Sequence, residues 1–384
     1  MSHRLVVVGA GYAGLLATKR LDRLLRRHDV TITLVNASDR FVERVRLHQL
    51  AAGQRSSGHP SLRRQLGGTS VRLVVGRVTA IDAACRAVTV DAPQAVGAPP
   101  ASIGYDTLVY ALGSGARLDD VPGAPAHAYA VADIEQAARL RDRISQKTTS
   151  GATVVVVGAG LTGVETAAEL AESCPTLRVR LLTGADDVGS GLMPRARSHL
   201  RYALDRLGVS VHTKAVVTEV REDGLDTCDG VPFAAETVVW ATGFRVPELA
   251  HASGFATGED GRMLVDATLR SISHPDVYAV GDAAAGISPS GAPGRMSCQS
   301  ALAMGRGVAD VIAARLSGAE SEPVRIGYVF TNISLGRRDG IIQFTRADDS
   351  PRRFVLTGRA AAVFKETVVR STVRKPRGGS VCSG

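Results

Sequence analysis

Hydrophobic positions along this chain fall into short β-branched runs, each passing through a turn into a helical stripe. Arg4-Leu-Val-Val-Val8 leads through glycines into the apolar stretch Leu15 to Leu25, and Val30-Thr-Ile-Thr-Leu-Val35 follows. The same order returns as Thr153 to Val157, a second glycine cluster, Val164 to Ala171 and Val179-Arg-Leu-Leu182. Apolar strands alternating with helices read as βαβ units around a buried sheet. The pattern predicts an α/β fold in which one supersecondary unit occurs twice.

The two glycine clusters sharpen this. Gly9-Ala-Gly-Tyr-Ala-Gly14 and Gly158-Ala-Gly-Leu-Thr-Gly163 each stand between strand and helix, with Tyr12, Ala13 and Thr162 inside the turns. One such cluster is a common turn; two in the same context are a specific signal. In each, Gly9 or Gly158 permits the tight turn, Gly11 or Gly160 lets the backbone approach a pyrophosphate, and Gly14 or Gly163 lets helix pack on strand. The helix N-terminus then offers N–H groups to the phosphates. A second strand should end about 20 residues on, at the residue that meets a ribose. Those positions are Asn36 and Thr183. Neither is acidic, so both contacts are expected to be weak.

Two later runs, Tyr105 to Gly113 and Glu236 to Gly243, are apolar strands ending in small-x-Gly turns: Ala111-Leu-Gly113 and Ala241-Thr242-Gly243. His274-Pro-Asp-Val-Tyr-Ala-Val-Gly281-Asp282 ends on a carboxylate that can accept hydrogen bonds from a polyol. Beyond Val324 come strand-like runs at Arg325–Phe330 and Gly340–Phe344, then a helix from Arg359 to Val373. That helix sets Ala362, Phe364, Val368 and Val369 near Lys365, Arg370, Arg374 and Lys375. Packing on the body is its expected use; lying on a membrane surface is the other. Residues from Pro376 onward are expected to be disordered.

Length and composition narrow the class. The 384 residues suggest two or three domains. With 45% hydrophobic and 22% charged residues the chain is neither disordered nor collagen-like. No apolar run approaches the roughly 18 residues of a membrane span, and a strand so near the N-terminus leaves no room for a signal peptide. Cys85, Cys174, Cys228, Cys298 and Cys382 show neither a CxxC pair nor metal-ligand spacing, so no metal is expected and the compartment is read as a reducing cytoplasm. The net charge of +9 comes almost wholly from arginine, with lysine only at 19, 147, 214, 365 and 375. Arginine, alanine and glycine rise together, as in a GC-rich genome. Aromatics make up 4% and do not interleave with basic residues, so no nucleic-acid partner is expected.

On these motifs the chain resembles the two-dinucleotide-binding-domain flavoproteins. Within them it is most similar to the type II NADH dehydrogenases and the apoptosis-inducing-factor-like oxidoreductases. Gly9–Gly14, Ala111–Gly113, Gly158–Gly163 with Val164-Glu165, Ala241–Gly243 and Gly281-Asp282 carry the likeness, over about residues 4 to 310. The resemblance implies two Rossmann-like domains, one inserted into the other, plus a small C-terminal α+β segment. FAD would lie on the first turn and Asp282, and NADH or NADPH on the second turn. The expected boundaries are 1–113 with 245–325 for FAD, 114–244 for NAD(P)H, and 326–384 for the C-terminal segment. A peripheral membrane contact through the last helix, at the inner face, and a homodimer are left open.

Further roles follow from the same likeness. Disulfide reductases of the superfamily carry a cysteine pair, but Val42–Gly53 has no cysteine, which argues against that chemistry. Ferredoxin-type reductases share both glycine turns. Relatives carry a glutamate at Glu165, near the nicotinamide; a catalytic part and simple stabilisation by the helix N-terminus stay open. Arg44, Arg46 and His48 fall where the family chain passes the flavin ring, either steadying it or forming a solvated arginine-rich stretch. In Pro293–Gly305 the family's Thr-Ala-Gln-x-Ala-x-x-Gln-Gly pattern is matched by Ser297, Cys298, Gln299, Ala301 and Gly305. Met304 replaces the second glutamine, and Gln299 is the flavin-edge candidate. The resulting expectation is a FAD-dependent NAD(P)H dehydrogenase with a quinone-like small-molecule acceptor. The alternatives are a flavin oxidoreductase of specialised metabolism and an NAD(P)H-sensing binding protein. Asp186 and Asp187 lean the coenzyme choice to NADH, with Arg195 and Arg197 placed to offset them.

Overall fold

Eight parallel strand pairings among the described residues follow from where the β-branched runs lie. The computed structural model describes residues 2–54, 59–91, 100–147 and 151–373; the tail from Pro376 falls outside them. The longer helices are α1 (Tyr12–Leu24), α2 (Ile134–Lys147), α3 (Leu161–Ser173), α4 (Pro194–Arg206), α5 (Cys298–Leu316) and α6 (Gly358–Val373).

One parallel sheet runs in the order Val277–Ala279, Thr107–Tyr110, His3–Val8, Val30–Asn36, Arg72–Val75. The other runs Ser210–His212, Arg178–Leu182, Thr153–Val157, Thr237–Trp240, Ala128–Ala130. In both, the strand entering the glycine turn has the ribose-side strand on one flank and the Ala-x-Gly strand on the other. Leu5–Val8 of the first central strand and all of Thr153–Val157 in the second are buried, as their apolar, valine-rich runs require. The second sheet lies within the sequence of the first. The chain leaves and returns through a short antiparallel pair, Gly115–Ala116 with Phe244–Arg245, before Val277–Ala279 closes the first sheet. This is a two-domain Rossmann-type fold.

The C-terminal segment is a three-stranded antiparallel sheet, Phe330–Ser334, Gly340–Thr345 and Pro351–Thr357, covered by α6. Its first strand begins at Phe330 and not at Arg325. The preceding Tyr328 is instead drawn into the body, where its Oη accepts from Arg295 N at 2.6 Å. The strand Pro351–Thr357 has no counterpart among the expected elements. Its first four residues are exposed, so it carries almost no apolar alternation to read. Helix α6 packs on the body through Ala361, Lys365 and Val369. Among the described residues no helix is long and apolar enough to cross a membrane.

Candidate active site

Each glycine turn divides its work by position. Gly9 and Gly158 have φ of +98° and +102°. A Cβ on Gly14 would overlap the carbonyl of Gly9, and one on Gly163 that of Gly158. These four glycines are fixed by the turn itself. Gly11 and Gly160 differ: a Cβ on either would meet nothing within 4 Å. Both stand at the N-caps of 13-residue helices, α1 and α3, with no side chain capping the first turn. Unsatisfied N–H groups facing open space suit an anionic pyrophosphate.

Asn36 braces the first turn, its Oδ1 accepting from Ala10 N at 2.9 Å and its Nδ2 donating to Ser38 O at 2.9 Å. Thr183 Oγ1 accepts from Ala185 N at 3.3 Å. Across the first domain, Arg44 Nη1 donates to Ser114 O at 2.6 Å, and Ser114 Oγ to Asp282 Oδ2 at 2.7 Å. This tie joins the Gly113 turn, whose φ is +69°, to the Gly281-Asp282 turn.

A cavity of 360 Å³ runs between the two glycine turns. It is bordered by Gly11, Tyr12, Ala13, Arg44, Ala111, Gly113, Gly281 and Asp282 on one side and by Thr162, Glu165 and Gly243 on the other. His48, Cys298 and Gln299 also reach it, and the apolar side chains Leu302, Phe330, Val368 and Val369 line it too. Gly9, Gly14, Asn36, Gly158, Gly160, Gly163, Thr183 and Thr242 do not line this cavity. Gln299 is the second residue of α5, capped by Ser297, and its Oε1 accepts from Val329 N at 3.2 Å. Met304 is buried with Sδ accepting from Gly281 N at 3.2 Å, so it supports the Asp282 turn from below.

Glu165 is the fifth residue of α3, one turn too deep for its N-terminal N–H groups to hold it. Its Oε1 instead accepts from Lys365 Nζ of α6 and from Ser334 N at 2.9 Å. Burial pushes its pKa up, but Lys365, His48 and the Ser334 amide together hold it below the usual value. His48 Nδ1 lies 3.6 Å from Glu165 Oε2. Burial pulls the imidazole pKa down to about 4, with Lys365, Arg337 and Arg46 adding to the shift against Glu165. The Arg44–His48 stretch is therefore not a solvated arginine surface. Arg46 is itself buried and paired with Glu366 at 2.8 Å and Glu43 at 3.2 Å.

Sequence reading missed the partners Lys365, Ser334, Glu169 and Arg337. A signal was present: Glu165 and Glu169 recur at i and i+4, interleaved with apolar Val164, Ala167, Ala168 and Leu170, and both are buried.

The described cysteines 85, 174, 228 and 298 are free thiols. Of these, Cys298 alone reaches the cavity. Burial raises its pKa, so it stands as a thiol.

Two Rossmann units with open phosphate turns facing one cavity define a flavin- and pyridine-nucleotide-dependent oxidoreductase. Residues 3–305 match the pyridine nucleotide-disulphide oxidoreductase family, and the chain belongs to it. It is 32% identical to an NADH dehydrogenase-like protein of Mycobacterium tuberculosis, over 98% of this chain and 96% of that protein. It is 31% identical to the type II NADH:quinone oxidoreductase Ndh of the same organism, over 84% of this chain and 75% of that one. The structure of NDH2 from Plasmodium falciparum in complex with NADH shares the fold, with a TM-score of 0.82 at 14% identity over 97% and 95% of the two chains. The protein is an oxidoreductase of the NADH dehydrogenase type, with FAD and NADH as cofactors.

Proposed function

We propose that this chain oxidises NADH through bound FAD and delivers the electrons to a quinone. The single observation carrying this reading is the cavity. One continuous space joins the Gly11 turn, the Thr162–Glu165 turn and the apolar side chains of Leu302, Phe330, Val368 and Val369, with one described thiol and no second described cysteine among its lining residues. An apolar wall suits a quinone, and a lone thiol has no partner to resolve a mixed disulfide. The similarity to a type II NADH:quinone oxidoreductase supports the same acceptor.

Bound FAD supplies the hydride acceptance from the nicotinamide and the onward electron transfer. The chain's residues do the rest. Residues 1–113 and 245–325 would hold FAD, with Gly11 and the α1 N-terminus at its pyrophosphate, Asp282 at its polyol and Arg44 beside the ring. Residues 114–244 would hold NADH on Gly160, Thr162 and the α3 N-terminus. Asn36 Oδ1 and Thr183 Oγ1 are already engaged by backbone, which leaves both ribose contacts weak. Gln299, with Oε1 taken by Val329, keeps its amide N–H groups as donors toward the acceptor. Glu165 Oε2 would hold and release a proton at the cavity wall. Because Met304 does not border the cavity, the missing second glutamine says nothing against a quinone there.

Steady-state turnover tests the reading. NADH with short-chain quinones should cycle well above the oxygen leak, while oxidised glutathione and lipoamide should not cycle. Turnover with a disulfide and none with quinones would overturn it.

A further inference from the structure

Glu165 and Glu169 lie one helical turn apart on α3 and bracket the ring of His48. Nδ1 is 3.6 Å from Glu165 Oε2 and Nε2 is 3.9 Å from Glu169 Oε2. All three are buried, at 8%, 0% and 4% exposure for Glu165, Glu169 and His48. Two atoms of this row, His48 Nε2 and Glu169 Oε1, find no hydrogen-bond partner among the described residues. Orphaned buried polar atoms are rare in folded chains and call for a reason. The row also has a direction. Glu165 and His48 border the cavity, whereas Arg337, which donates to Glu169 Oε2 at 2.7 Å, borders a separate 680 Å³ groove with Glu43, Gln49 and Glu366.

Reducing a quinone to a quinol takes two electrons and two protons. NADH brings the two electrons and one proton as hydride, so one further proton must come from water. We propose that Glu169 stores this proton and that His48 passes it to Glu165 at the cavity wall. The Glu169 O–H bond breaks as the proton joins His48 Nε2, and the Nδ1–H bond breaks as its proton joins Glu165 Oε2. Glu169 is left as a carboxylate held by Arg337, Glu165 becomes a neutral acid, and the ring stays neutral with its hydrogen moved to Nε2. The groove then resupplies Glu169. The two gaps exceed hydrogen-bonding length, and small side-chain rotations close them.

The resting charges match donor, relay and acceptor. Burial raises Glu169 to about 7, with Glu172 and Glu165 adding to the rise against Arg337. His48, faced by Glu165, Glu169, Lys365, Arg337 and Arg46, is held neutral by burial. Glu165, faced by Lys365, His48 and Ser334 N, is held ionised.

This inference rests on the quinone reading above and is tested with Glu169→Gln in the FAD-loaded protein. Before any substrate is added, infrared spectra of the oxidised wild type should show a protonated-carboxyl band that titrates near pH 7 and is missing from the variant. In stopped flow, Glu169→Gln should slow reoxidation by a short-chain quinone at least about tenfold more than it slows reduction by NADH. The variant should also lose the wild type's fall in reoxidation rate above pH 7, and Glu169→Asp should restore part of both. Absence of the band, or a variant that keeps the wild-type reoxidation rate and pH profile, overturns the proposal. Equal loss in both half-reactions also overturns it, by marking Glu169 as a structural anchor for Arg337. Failure of the quinone reading looks different: no quinone reoxidises the wild type, while the infrared band still titrates.

Discussion

Gly11 and Gly14 stand three residues apart, yet replacing them should fail in opposite ways. A side chain at Gly11, whose backbone is extended, projects into open space. Gly11→Val should leave the stability of the FAD-free fold within about 0.5 kcal/mol of wild type and remove FAD from the purified protein. Gly14→Ala drives a Cβ into the Gly9 carbonyl. It should cost roughly 1–3 kcal/mol or more even without FAD. Flavin content per chain and thermal unfolding of the deflavinated proteins separate the two. Coenzyme choice is also decided residue by residue. Asp187 is already neutralised, accepting from Arg201 Nε at 3.1 Å with Arg197 3.8 Å away. Arg197 is spent on the carbonyls of Gly189, Ser190 and Leu192, so it does not reach out to a 2′-phosphate. That leaves the exposed pair Asp186 and Lys214, 3.6 Å apart, as the charges this balance rests on. NADH should be preferred by tenfold or less, about 1.4 kcal/mol. Asp186→Asn should shift the choice toward NADPH and Lys214→Ala toward NADH. Second-order rate constants for flavin reduction give the ratio, and a preference beyond about a hundredfold would contradict this charge balance.

At the scale of elements, the C-terminal segment is fastened to the second domain by buried charge. Lys365 of α6 meets Glu165 of α3, Arg337 meets Glu169, and Asp339 takes His199 at 2.8 Å and Arg206 at 2.7 Å from α4. Removing one partner of a buried pair leaves the other charge uncompensated, at about 3–5 kcal/mol. Lys365→Met should therefore free α6, seen as faster hydrogen exchange confined to the C-terminal segment, and adding Glu165→Gln should recover most of the protection. The same burial gives stability a pH signature. His48, depressed to about 4, leaves the native state holding fewer protons than the unfolded chain between pH 6.5 and 4, so its contribution is lost as pH falls through that window. Glu169, raised to about 7, keeps a proton that the unfolded chain releases above 4.5, so stability is lost as pH rises from 4.5 to 7. Glu169→Gln removes the second slope, and its stability should decline less than wild type over that range in denaturant titrations. The strands and helices around both glycine turns were legible because each motif is local: apolar run, glycines, helix. The charged fastening was not, because it gathers residues 48, 165, 169, 337 and 365 from distant segments, and no spacing in the sequence brings them together. The strand Pro351–Thr357 was hidden for a simpler reason, since its exposed edge has no apolar period.

For the whole molecule, one cavity is lined from both dinucleotide units and from the C-terminal segment, and its only described thiol is a protonated one. Replacing all five cysteines by Ser or Ala should therefore leave flavin reduction by NADH within about threefold of wild type, unlike an enzyme that works through a dithiol. The central claim is an electron path from NADH through the cavity to a quinone, and sequential-mixing stopped flow follows it directly. Anaerobic NADH should bleach the flavin absorbance of the yellow protein in one phase. A second mix with a short-chain quinone should restore the absorbance faster than air-saturated buffer does. A flavin that NADH does not bleach, or one that NADH bleaches and quinone leaves reduced, would contradict the account.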